Sequence, residues 1–171
     1  MLDTRELGRR PGTMRKVSRT VQAPADLGTD VIRVSEGSDL VLALRLEAVM
    51  EGVLVSGTAR AHTEGECVRC LDGLERELAV DFQELYAYPG DGSDDEDEDV
   101  YHLEGDLLDL EPTVRDAVVL ALPMQPVCQD DCPGLCPDCG ARLADDPEHS
   151  HDDADPRWAA LQHVFDDERK S

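Results

Sequence analysis

The chain has little of what most domains of its size use to build a core or a catalytic site. Only 4% of its 171 residues are aromatic, so a core must be assembled from Leu, Val and Ala. Long apolar runs are missing. The longest, Ala117 to Met124, has eight residues and includes Pro123, well short of the roughly 18–20 that cross a bilayer. No N-terminal run has the charged and apolar regions of a signal peptide. These absences predict a cytoplasmic protein whose thiols stay reduced and which has no membrane contact. No phosphate-cradling glycine loop, serine triad or supported carboxylate pair is visible, which predicts a non-enzymatic protein without a small-molecule substrate.

Positive charge is also scarce. Sixteen Lys and Arg face 39 Asp and Glu, for a formal charge of −23. Residues 1–19 hold six of the sixteen against Asp3 and Glu6, a net +4, so the remainder carries −27. A body this acidic repels free nucleic acid and attracts basic proteins. Only the N-terminal arm, through Arg9, Arg10, Arg15 and Lys16, has the charge to lie along phosphates. The plainer reading of the same residues is a solvated or strand-forming terminus.

Cysteine is concentrated rather than scattered. All six lie in two places: Cys67 and Cys70 in one C-x-x-C, then Cys128, Cys132, Cys136 and Cys139. In a reducing compartment this pattern reads as metal binding or redox chemistry, not as a disulfide framework. Cys136-Pro137-Asp138-Cys139-Gly140 has the form of a zinc knuckle, in which the glycine lets backbone N–H groups point at the sulfurs. A structural Zn²⁺ needs four such ligands. Cys128, Cys132, Cys136 and Cys139 supply them locally, without long-range docking. The alternative set, Cys67, Cys70, Cys136 and Cys139, pairs two knuckles as in a zinc ribbon. His149 and His151 sit in an acidic linker and read as solvated; His62, His102 and His163 are isolated.

Periodicity predicts an α+β, β-rich fold. Leu40, Leu42, Leu44 and Leu46 alternate with Val41, Ala43, Arg45 and Glu47, the period of a half-buried strand. Turns at residues 50–52 and 65–70 separate a return strand over 53–63 from a third over 74–88, giving an antiparallel meander. Leu74, Leu78, Val80, Phe82 and Tyr86 share one of its faces. Pro112 and Pro123 bracket a helix that covers the sheet, and Val100 to Leu103 reads as an edge strand. Residues 89–99 are too acidic to bury anything and read as a disordered loop; the ligand spacing of a calcium-binding EF-hand is missing. Asp155-Pro156 starts a terminal helix with Trp158, Leu161 and Phe165 in one stripe. The chain thus divides into a basic arm with first strands (1–35), a β-rich core (36–125), a cysteine segment (126–143), and an acidic linker with the terminal helix (144–171).

Four blocks recur together in one order: Leu2-Asp3-Thr4-Arg5-Glu6-Leu7-Gly8-Arg9-Arg10-Pro11-Gly12, Gly65-Glu66-Cys67-Val68-Arg69-Cys70-Leu71, Asp109-Leu110-Glu111-Pro112-Thr113-Val114-Arg115-Asp116, and Cys132-Pro133-Gly134-Leu135-Cys136-Pro137-Asp138-Cys139-Gly140. With Asp155-Pro156-Arg157-Trp158 they resemble the YceD family of large ribosomal RNA subunit accumulation proteins, in an actinobacterial form. The resemblance implies a ribosome-biogenesis factor that supports accumulation of large-subunit (23S) rRNA. It supplies no catalytic residues, and some relatives lack part of the cysteine set. Joined to the charge, it implies a basic ribosomal or assembly protein as partner, with rRNA contact through the arm. Two other classes compete. A thiol oxidoreductase at Cys67 and Cys70 needs a lowered thiolate pKa, which the preceding Glu66 opposes. A zinc-ribbon nucleic-acid-binding regulator needs a basic surface, yet Asp130, Asp131 and Asp138 surround the cysteines.

Overall fold

The computed structural model describes residues 1–89 and 101–151. The acidic loop beyond Pro89 and the terminal helix expected over 155–165 lie outside the described residues.

The alternating leucines form the centre of the sheet. Strand β4 (Asp39–Ala48) buries Leu40, Leu42, Leu44, Leu46 and Ala48 and turns the residues between them outward. It pairs antiparallel with β2 (Met14–Gln22) on one side and β5 (Gly52–Glu66) on the other. β5 and β6 (Gly73–Ala87) form a long hairpin, paired from Gly52↔Ala87 to Glu66↔Gly73. Near its tip, β3 (Ile32–Val34) pairs with β5 at Ile32↔Gly65, so β3 and β4 follow one another along the same flank. The first C-x-x-C occupies the hairpin tip.

The expected meander therefore holds for β4, β5 and β6, and the edge strand expected over Val100 to Leu103 is present as β7 (Tyr101–His102). It runs parallel to β6, Tyr86 opposite Tyr101. A parallel pair needs a crossover of about a dozen residues, and the stretch between Ala87 and Tyr101 has that length. The basic N-terminus is likewise built into the fold. β1 (Leu2–Asp3) pairs with β8 (Leu107–Leu108), and Leu7 is buried. Arg15 meets Glu6 at 2.7 Å, and the Arg9 guanidinium lies 4.7 Å above the Tyr88 ring. Lys16 is on β2, the edge strand.

Helix α1 (Glu111–Ala121) starts with Pro112 in its first turn, where a missing N–H costs nothing. Leu122 is extended at ψ 139°, as a residue before proline prefers, and the helix stops there. Thr113, Val114 and Val118 face inward, and the last two join the leucines of β4 in the main core. Coverage of the sheet is partial. α1 packs on β6, where Tyr86 is fully enclosed, whereas Leu78, Val80 and Phe82 on the same face are half-buried.

Tyr86 locks helix to sheet. Its hydroxyl donates to the Asp109 carbonyl at 3.0 Å and meets the Thr113 hydroxyl at 2.7 Å. Tyr86→Phe keeps the ring but leaves both partners without their bond inside the core. The expected cost is about 1–2 kcal/mol in urea unfolding, with unchanged secondary structure; a loss below about 0.3 kcal/mol would show that water serves these groups equally well.

Candidate metal centre

The site begins at the β5–β6 tip. There the chain makes a knuckle: Cys67 N–H bonds the Asp72 carbonyl at 2.8 Å, and Leu71 N–H bonds the Cys67 carbonyl at 2.9 Å. Cys136 repeats the pattern, bonding Ala141 at 2.8 Å, with Gly140 N–H on the Cys136 carbonyl at 2.8 Å. The residue after the second cysteine has positive φ in both, 61° at Leu71 and 72° at Gly140. Glycine adopts that conformation freely. Leucine does so at a cost of about 1–2 kcal/mol.

The segment from Pro126 to Arg142 docks against the hairpin tip through the backbone. Val68 N–H donates to the Pro126 carbonyl (2.9 Å), and Leu135 N–H to the Arg69 carbonyl (3.0 Å). The Arg69 guanidinium returns bonds to the Cys132 and Asp130 carbonyls at 3.0 and 3.2 Å. Arg76 reaches the Val127 carbonyl, and Arg142 pairs with Asp72. Gly134, at φ 81°, lies against Arg69, and a methyl group there would meet the Arg69 carbonyl oxygen at 3.0 Å.

This docking decides which thiols meet. Cys67, Cys70, Cys128 and Cys132 converge, with all four sulfurs within 4.8 Å of one another. Cys67 and Cys132 are 3.8 Å apart, Cys70 and Cys128 3.7 Å. Four sulfurs held at about 2.3 Å around one tetrahedral ion lie about 3.8 Å apart, so the spacing fits a single metal ion. It is far longer than the roughly 2.05 Å of a disulfide. Cys136 and Cys139 instead meet His149 and His151, again with all four ligand atoms within 4.8 Å. Each group can hold a metal ion.

Neither foursome expected from spacing is brought together. The local set is split between Cys132 and Cys136, and the ribbon set is split because the two knuckles belong to different groups. The physical reason is the docking: bonds from Val68 to Pro126 and from Leu135 to Arg69 hold Cys128 and Cys132 at the hairpin tip, and the chain turns at Gly134, against Arg69, before the second knuckle. His149 and His151, expected to be solvated, are ligand-positioned side chains. Their H-x-H spacing differs from the usual H-x₃₋₅-H of zinc sites, though an imidazole pair after a knuckle is itself a metal signal.

The electrostatics of the first group suit a deprotonated ligand set. Burial pushes the Cys67 thiol up, but backbone N–H groups of Cys70, Cys128 and Arg69 aimed at its sulfur prevail and bring it down to about 6. The effect expected of Glu66 is outweighed. At Cys70 the Asp72 N–H favours thiolate, yet burial and the three neighbouring sulfurs push it up to about 12. Cys132 and burial raise Cys128 as well. Protons thus remain on some of four crowded sulfurs, and a divalent cation is the species that displaces them. In the second group, N–H groups of Cys139 and Asp138 bring the Cys136 thiol down to about 6.

Fold and site together define a β-sheet protein whose segment from Pro126 to Arg142 docks on a hairpin tip and completes a candidate metal centre there. Residues 55–165 match the family described as large ribosomal RNA subunit accumulation protein YceD, and the chain belongs to it. An uncharacterized protein of Mycobacterium tuberculosis is 48% identical over 162 residues, covering 94% of this chain and 78% of its own. One from Mycobacterium leprae is 41% identical over 163 residues, covering 94% and 75%. The uncharacterized protein YlbN of Bacillus subtilis is 31% identical over 106 residues, 60% of this chain and 61% of its own. No solved structure matches the chain. Among the described residues, no helix is long and apolar enough to cross a membrane.

The grouping has a direct test. Changing Cys67 and Cys70 together to serine is expected to remove one equivalent of bound metal and to free the segment around Pro126 to Leu135 for limited proteolysis. Cys136→Ser is expected to leave that ion in place. If Cys136→Ser abolishes the tetrathiolate spectrum of the cobalt-loaded chain, the grouping of Cys67 and Cys70 with Cys128 and Cys132 is wrong.

Proposed function

We propose that the protein is a non-catalytic factor of large-subunit ribosome biogenesis in the cytoplasm. It supports 23S rRNA accumulation by binding a basic ribosomal or assembly protein, and a structural zinc ion in the Cys67, Cys70, Cys128 and Cys132 group holds its C-terminal segment in place. Family membership carries the first part. The formal charge of −23 supports the second, because a surface of that sign attracts cationic partners over distance. Zinc is supported by the ligand chemistry: four thiolates at the spacing of one tetrahedral ion suit Zn²⁺ or iron, and zinc stays redox-inert.

RNA contact is the lesser part of this reading. Of the four cations expected to reach phosphates, Arg15 is paired with Glu6 and Arg9 is seated on Tyr88. Arg10 and Lys16 make no ion pair among the described residues. Two cations neutralise too few phosphates for tight binding. The depressed Cys67 thiol also suits a redox pair, but its residue is 0% exposed, and an attacking sulfur must reach its substrate.

The test is recovery of partners on the tagged full chain from lysate at low and high salt. A basic ribosomal or assembly protein is expected at about 0.1 M salt and is expected to be lost near 0.5 M, where screening shortens to a few ångströms. Removing residues 91–99 is expected to weaken that recovery without lowering the melting temperature. Changing Arg9, Arg10, Arg15 and Lys16 to alanine is expected to reduce co-sedimentation with ribosomal precursors only modestly. Tight, salt-resistant binding of naked rRNA by the isolated protein would overturn the partner-led mechanism.

A further inference from the structure

We propose that Cys136, Cys139, His149 and His151 form a second metal centre, independent of the tetrathiolate and open to solvent, which binds one zinc-class divalent ion. It goes beyond the functional reading above and does not depend on it.

The geometry points to an ion more than to hydrogen bonding. The Nε2 atoms of His149 and His151 both lie 3.2 Å from the Cys139 sulfur and 3.0 Å from each other. All three atoms of that triangle converge on one point, with the Cys136 sulfur completing the four. His151 and Cys139 are exposed and His149 is half-buried. The exposed His151 imidazole has water available to it, and gathering it with the half-buried His149 on one thiol costs rotamer freedom. A hydrogen bond offers little to offset that cost at the surface. A shared cation offers much more, because each ligand then gives a lone pair to one Lewis acid.

The charges separate the two centres. Four thiolates leave a zinc centre at −2, and the first group has Arg69, Arg76 and Arg142 bonded around it. Two thiolates and two neutral imidazoles balance a divalent ion, so the second group needs no cationic surround. Burial separates them too. In the first group Cys67, Cys70 and Cys132 are at most 9% exposed and Cys128 alone is exposed, whereas in the second only Cys136 is buried and a chelator meets both Cys139 and His151 at the surface. The two ions therefore differ in exchange. The second closes the acidic stretch from Gly140 to Glu148 into a loop.

The experiment is metal content of the intact chain, loaded with Zn²⁺ and in parallel with Co²⁺. Wild type is expected to hold two equivalents, with cobalt spectra that sum a tetrathiolate and a mixed sulfur–nitrogen centre. His149→Ala with His151→Ala is expected to hold one, to lose the mixed spectrum, and to keep its melting transition. A chelator is expected to take one equivalent from wild type before the other. A wild type that binds a single equivalent, or a double-histidine variant that still binds two, overturns the proposal. Cys67→Ser with Cys70→Ser should retain the mixed spectrum; if only the tetrathiolate spectrum survives there, the assignment of ligands is wrong.

Discussion

The segment from Pro126 to Arg142 depends on one constraint: four thiols from two distant stretches meet at the tip of a hairpin. The cluster around them has almost no apolar body of its own. Besides Cys67, Cys70 and Cys132 it contains Leu74, with Val127 at its edge. Burying one leucine contributes about 1.5–3 kcal/mol, which does not order some twenty residues against an entropy cost of about 1–2 kcal/mol each. Coordination changes the balance, since structural zinc in small domains binds with roughly 10–16 kcal/mol of apparent free energy, and that energy is folding energy. With zinc in the group, as proposed, the segment would be ordered by that ion, while the leucine-rich sheet and α1 would stand without it.

The two knuckles show how tightly that constraint acts on the backbone. They share a hydrogen-bond pattern and a positive φ after the second cysteine, yet one carries Gly140 and the other Leu71. A leucine in the left-handed region persists only where its surroundings over-determine it. Here they do: the Cys67 and Leu71 bonds close the turn, Asp72 is tied to Arg142, and both sulfurs face the docked segment. Leu71 itself is 61% exposed, so packing does not hold it there.

Much of the sheet was legible in the sequence because its period is local. Alternating leucines can satisfy only one face, and the bracket of Pro112 and Pro123 left one helix between them. The parallel pairing of β7 was not legible, since register across a long connection is set by packing and not by pattern. The partition of the cysteines was hidden for a related reason. Spacing ranks ligand sets by how near they are along the chain, but proximity in space is set by the bonds that dock the segment on the hairpin tip, with Gly134 lying against the Arg69 carbonyl. The histidines were read from their acidic neighbours, which describe the solvent around a segment and say nothing about a turn that brings two imidazoles back to a knuckle.

The fold also settles how the few cations are spent. Arg69 and Arg76 bond carbonyls of the docked segment, Arg115 bonds those of Ala25 and Asp26, Arg142 meets Asp72, and Arg15 meets Glu6. Each holds one part of the chain to another. A guanidinium committed to two carbonyls in fixed geometry cannot also form the bidentate contact that phosphate recognition requires. The excess of acid is thus left with little internal compensation, and net repulsion of that kind destabilises a compact chain. The basic partner proposed above would relieve the repulsion on binding, which would give association a driving force whether or not the contact surface is large. The same charge that weakens the free protein would then be the source of its attraction, and cross-links that do not depend on surface charge would hold such a chain in the meantime.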